Sequence, residues 1–125
     1  MIRYILDANM AIYAMIDPAS SINRRIERLS PGEIAISAIS FAELILGIQH
    51  QKPPPPEVVE AFLDAVPILP FDEQAARRYA LLPFRRARFD RLLAAHALSI
   101  GATVVTNNEA DFADIPGLKL ENWML

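Results

Sequence analysis

The feature that most constrains this chain is an apolar run that ends at an acid. Ile2-Arg3-Tyr4-Ile5-Leu6 reads as a short buried strand, and Asp7-Ala8-Asn9 follows at once and opens a helical pattern. Short apolar strands separated by helices belong to parallel sheets covered on both faces. Whatever follows the last apolar residue of such a strand lies at the carboxyl edge of the sheet, where open α/β folds bind their ligands. Asp7 is thus a candidate for chemistry, and the question for the rest of the chain is what joins it there.

The alternation recurs. Strands are expected at 33–37, at Ile68, Leu69 and Phe71, at 103–105, and within 118–123. Helices are expected from Asp7 to about Met15, then at 19–29, 39–49 and from Pro56 to about Val66, then from Asp72 to Pro83 and from Asp90 to Gly101. Pro56 suits a first helical turn. Pro67 and Pro70 each remove a backbone donor, which puts the third strand at a sheet edge. In the helix opened by Asp72, Ala75, Ala76, Tyr79 and Ala80 are expected to face inward. Residues 52–56 form a proline-rich spacer inside one domain that spans 1–125, because neither flank has enough apolar pattern for a core of its own. The fold class is α/β with a mainly parallel sheet. An apolar fraction of 53% suits a sheet covered on both sides.

Four acids fall in the same kind of place. Asp7 follows the first strand, Glu43 lies about one turn into the helix after the second, Asp90 opens the helix leading into the fourth, and Asp111 comes just after the fourth. Each also has a structural explanation. Asp7 and Asp90 suit helix N-caps. Ser40-Phe41-Ala42-Glu43 fits a capping box, and Asp111 fits a solvated loop. If the four converge, their repulsion needs an explanation that caps do not supply. A divalent cation removes it, and an all-carboxylate donor set suits hard ions such as Mg²⁺ or Mn²⁺ rather than zinc. Such a site fits phosphate chemistry by an activated water.

Other chemistries lack their residues. Cysteine is absent, so disulfides and thiolate metal sites are excluded. There is no glycine-rich phosphate loop, no G-x-S-x-G elbow and no H-E-x-x-H pair. His96, among alanines, reads as a packed structural residue, and His50 as a partner of a helix C-terminus. The net charge of −3 excludes a generally basic nucleic-acid binder, but Arg85, Arg86, Arg88 and Arg91 form a local cluster. It is either a solvated turn or a contact for RNA phosphates. No segment has the roughly 18 uninterrupted apolar residues of a membrane span, and no signal-peptide pattern is found, so the expected location is the cytoplasm, with no membrane partner.

Taken together, Leu6-Asp7-Ala8-Asn9, Ile36-Ser37 to Ala42-Glu43-Leu44, Phe89-Asp90-Arg91-Leu92-Leu93-Ala94-Ala95-His96-Ala97 and Val105-Thr106-Asn107-Asn108 to Asp111-Phe112 resemble a PIN-domain ribonuclease, within that group the VapC-type toxins of bacterial toxin–antitoxin systems. The tail Ile115-Pro116-Gly117-Leu118 with Glu121-Asn122-Trp123 fits as well. The resemblance implies a three-layer α/β/α sandwich with four or five strands and a Mg²⁺- or Mn²⁺-dependent endoribonuclease that hydrolyses RNA phosphodiester bonds with a metal-activated water. It implies Asp7, Glu43, Asp90 and Asp111 as catalytic acids, with Asp7 and Asp90 on the metal. Asn9, Thr106 and Asn108 would support the site. It further implies a cognate antitoxin and a homodimer. The chain departs from the family pattern at Ala8, where Thr or Ser is usual, and in a short segment before Asp90. The alternatives are a non-catalytic PIN-like module that binds RNA or protein, and a Mg²⁺-dependent phosphoryl-transfer domain.

Overall fold

The computed structural model describes residues 1–83 and 89–124. Five parallel strands, β1 (Tyr4–Leu6), β2 (Ile34–Ser37), β3 (Ile68–Leu69), β4 (Thr103–Val105) and β5 (Lys119–Glu121), lie in the order β3-β2-β1-β4-β5. The sheet is wholly parallel, and the expected last strand forms its outer edge. β3 is the opposite edge, as its flanking prolines require. The helices are α1 (Ala8–Ile16), α2 (Ser21–Glu27), α3 (Ala38–Gln49), α4 (Pro56–Ala65), α5 (Glu73–Tyr79) and α6 (Phe89–Ile100), with a short 3₁₀ helix at Glu109–Phe112. None among the described residues is long and apolar enough to cross a membrane.

Strand alternation divides the core into two. Leu6, Ile34, Ile36 and Val105 point to one face, where Met10, Ala11 and Ala14 of α1, Ile22, Leu44, Val59 and Val66 pack on them. Ile5 and Val104 point to the other face, against Leu93, Ala94 and Ala97 of α6 together with Phe112 and Ile115. The result is three layers. The proline-rich spacer keeps both its flanks in the first cluster, since Ile48 before it packs there with Val58 and Val59 after it. Trp123 closes that cluster from the C-terminal side. It is 2% exposed, edge-on to Tyr4 at 5.0 Å, and its carbonyl accepts from the Ser21 hydroxyl at 2.6 Å.

This topology fixes where a site can form. The connections β1 to β2 and β2 to β3 pack on one face, whereas the connection from β3 to β4 runs through α5 and α6 on the other. The winding reverses between β1 and β4, and the helices part there at the carboxyl edge. Leu6 pairs with Val105 at the last position of both strands, so Asp7 and Thr106 leave the sheet side by side. The Asp7 amide still donates to the Val105 carbonyl at 3.1 Å.

Two local expectations are corrected. In α5 only Ala75 is fully buried, Tyr79 is partly so, and Ala76 and Ala80 are exposed. A helix of this length presents one narrow face to α6, and alanine gives little signal of which face that is. The cap of α3 is Ser37, whose hydroxyl accepts from the Ile39 amide at 3.0 Å. Ser40 is already inside the helix, so the Ser40–Glu43 capping box does not form and Glu43 has no such structural task.

Candidate active site

Asp7 is held from three directions. Its Oδ1 accepts from the Met10 amide at 3.0 Å, so it does cap α1. The Asn9 amide and the Thr106 side chain also bond to it. Thr106 is fully buried, and its Oγ1 accepts from the Asn108 amide at 3.0 Å, which leaves the hydroxyl proton for the Asp7 carboxylate. Burial raises the Asp7 carboxyl from its ordinary value of 3.8, outweighing these three hydrogen bonds, which act to lower it. Capping and chemistry are therefore compatible at this residue: the cap fixes the carboxylate without removing its charge from the edge.

Glu43 is half-buried on α3. Burial, then the negative charge of Asp90, then that of Asp7, push its carboxyl up to about 7. This is the sign that acids from three elements converge. Asp7 comes from the end of β1, Glu43 from α3 after β2, and Asp90 from the first turn of α6. Asp111 stands apart from that electrostatic group. It is exposed in the 3₁₀ helix, where the Asn108 side-chain amide donates to it, and the charges acting on Glu43 are those of Asp90 and Asp7. Asn9 is exposed beside Asp7. Ala8 is 7% exposed at the start of α1, and the hydroxyl that touches Asp7 comes instead from Thr106 across the sheet.

The donor set fits a hard divalent cation. Among the described residues no three His, Asp or Glu side chains lie together so that they could hold a metal ion. An octahedral ion that keeps most of its waters needs only one or two protein carboxylates. A positive charge placed among Asp7, Glu43 and Asp90 offsets the repulsion that adds to burial in raising the Glu43 carboxyl.

Arg91 is corrected. The sequence groups it with the arginines that would steer RNA, but its side chain is 3% exposed and its Nη2 lies 2.6 Å and 2.7 Å from the two oxygens of Asp114. A buried guanidinium engaged in this way is not available to a phosphate. Arg85, Arg86 and Arg88 lie outside the described residues. His96 is structural: it is 3% exposed, 2.7 Å through Nδ1 from Ser37 Oγ, and edge-on to Phe71 at 5.6 Å. Burial lowers its pKa and keeps the ring neutral. Ser37 thus caps the helix that carries Glu43 and holds the helix that carries Asp90, a role that the sequence hides because Ser37 also ends β2. His50 lies at the C-cap of α3, where its backbone amide bonds to the last carbonyls.

The sequence matches the PIN-domain family model over residues 4–118. It is 33% identical to the tRNA(fMet)-specific endonuclease VapC of Salmonella typhimurium, with 98% of this chain and 99% of that one aligned. It is 34% identical to ribonuclease VapC2 of Rickettsia felis, over 96% and 97% of the two chains. Among solved structures, the DNA-bound VapBC complex from Salmonella typhimurium superposes with a TM-score of 0.82 at 33% identity, covering 98% of this chain and 99% of that one.

Proposed function

The chain belongs to the PIN-domain family, in its VapC-type branch, and from that premise we propose that it is the ribonuclease toxin of a toxin–antitoxin pair, dependent on Mg²⁺ or Mn²⁺. The observation that carries the metal-dependent reading is the convergence of Asp7, Glu43 and Asp90 from three elements on the carboxyl edge of the sheet. A wholly parallel sheet with a switch point there is the usual setting for such a site.

In this reading Asp7 and Asp90 hold the cation. The Thr106 hydroxyl and the first amides of α1 keep the Asp7 carboxylate in one orientation. When bound, the cation lowers the pKa of water and offsets charge on the phosphate oxygens. Glu43, whose carboxyl is pushed up to about 7 without the cation, would take the proton of the attacking water at a carboxylate oxygen. Asp111, oriented by Asn108, acts at longer range through water or on a second ion. Asn9 supports the site from the first turn of α1. The relatives in solved complexes are VapBC pairs, which supports a cognate antitoxin as partner. The reading also carries a dimer of the toxin and a place in the cytoplasm.

The test is direct. Purified protein is expected to cleave RNA with Mg²⁺ or Mn²⁺ and to stop with EDTA. Initiator tRNA is the first substrate to assay, since two of the relatives act on it by name. RNA that stays intact under every metal condition would sink the enzymatic reading and leave the binding-module alternative.

Arg85, Arg86 and Arg88 lie within the five residues before Asp90, and we assign them to the RNA backbone. Because the net charge is −3, such contacts must act locally. Arg86→Ala and Arg88→Ala are each expected to reduce the slope of log affinity against log salt by about 1. A slope that does not change in either variant returns these residues to the solvated surface.

A further inference from the structure

We propose that Arg91 is a positioning residue of the acidic site: its ion pair with Asp114 holds the first turn of α6 to the segment after β4 and sets Asp90 relative to Asp111. The proposal rests on the metal-site reading above and adds to it a residue outside the four acids.

The placement carries the argument. Arg91 is the neighbour of Asp90, and Asp114 lies three residues past Asp111. One nitrogen, Nη2, reaches both carboxylate oxygens, at 2.6 Å and 2.7 Å. The arginine side chain is 3% exposed, whereas Asp114 is 34% exposed. From the same two segments, Phe112 and Ile115 share an apolar cluster with Leu93, Ala94 and Ala97. Those apolar contacts hold the two segments together but have no preferred direction. A charge-assisted hydrogen bond does, so the pair fixes the register in which the segments meet.

A role in packing alone explains the arginine poorly. Burying a guanidinium is unfavourable, and an apolar side chain of similar volume often stabilises as well or better. Nη1 is moreover buried with no hydrogen-bond partner among the described residues, so within them the burial is not fully compensated. Contact with RNA explains it no better, because Nη2 is engaged by Asp114 and Nη1 is covered. What the pair does supply is a directional link between the two segments that bear Asp90 and Asp111.

The experiment measures Mn²⁺ binding by calorimetry, without RNA, on the full chain and on Asp114→Asn and Arg91→Lys, and then kcat, KM and the salt slope on a model RNA. Outer-shell partners of a metal site are typically worth about tenfold or more in affinity or activity. Both variants are therefore expected to bind Mn²⁺ about tenfold more weakly and to lose about tenfold in kcat, with KM and salt slope unchanged. A folded variant with the parent's Mn²⁺ affinity and kcat would reduce the pair to packing. A raised KM with a shallower salt slope would make Arg91 an RNA contact. If Asp114→Asn does not fold, Arg91→Lys, which keeps the charge beside Asp114, decides the matter by the same readings. Absence of Mn²⁺ binding in the parent protein overturns the metal site itself, a result distinct from equal binding by parent and variant.

Discussion

Asp7→Asn is expected to abolish metal-dependent RNA cleavage while leaving the fold intact. The loss follows from charge. A cation contributes several kcal/mol of charge stabilisation in phosphoryl chemistry. A variant that no longer holds it should therefore fall by roughly 10³-fold or more. The intact fold follows from the cap. Asn caps a helix about as well as Asp does, so the bond from the Met10 amide at 3.0 Å survives. Burial disfavours the Asp7 charge, so the neutral isostere is expected to unfold at a temperature no lower than the parent without metal. Asp7→Ala is the companion variant. It loses the cap as well, and its stability should drop by about 1 kcal/mol. Activity assays and thermal melts on both variants separate the two duties of one side chain. Cleavage at the parental rate by Asp7→Asn would remove Asp7 from the chemistry and leave it a cap.

That dual role explains why the acid was legible from sequence while its surroundings were not. Asp7, Asp90 and Asp111 each lie beside a strand end or helix start that short apolar runs mark clearly. Parallel pairing then brings Asp7 to one edge with Thr106. The partners of these residues are set by contacts across long stretches of chain. Ser37 meets His96 from 59 positions away, and nothing local distinguishes it from the Ser40–Glu43 pattern that also fits a cap. Arg91 stands in a run of arginines, which suggests surface. The carboxylate that makes its burial tolerable lies 23 residues on, beyond β4, where no local pattern points to it. The edge position of β3 was legible because proline acts locally, through its own missing amide. The order of the strands is a property of the crossovers, and only the assembled sheet shows that the reversal falls between β1 and β4.

Glu43→Gln should separate the repulsion within the site from its chemistry. In the metal-free protein the Glu43 carboxyl is raised from 4.5 to about 7, by burial, Asp90 and Asp7 in that order. A raised carboxyl favours the protonated folded state. Its contribution to stability is complete below about pH 4.5 and is lost as pH rises through about 7. The interval limits the effect to roughly 3 kcal/mol, and solvent screening at a half-buried group lowers the expectation to about 1–2 kcal/mol. The parent without metal should thus lose stability between pH 4.5 and 7, and Glu43→Gln should lose less of it, so that the variant is the more stable protein at pH 8. Metal reverses the ranking of function. In the parent at pH 6, Mn²⁺ must displace most of a proton from Glu43, and its affinity should rise by up to about tenfold per pH unit until it levels near 7. Calorimetry in two buffers of different ionisation enthalpy counts that proton. Glu43→Gln should release about one proton fewer at pH 6 and lose most of its cleavage activity at every pH. If parent and variant release the same number of protons, Glu43 does not sense the cation, and its high pKa belongs to burial alone.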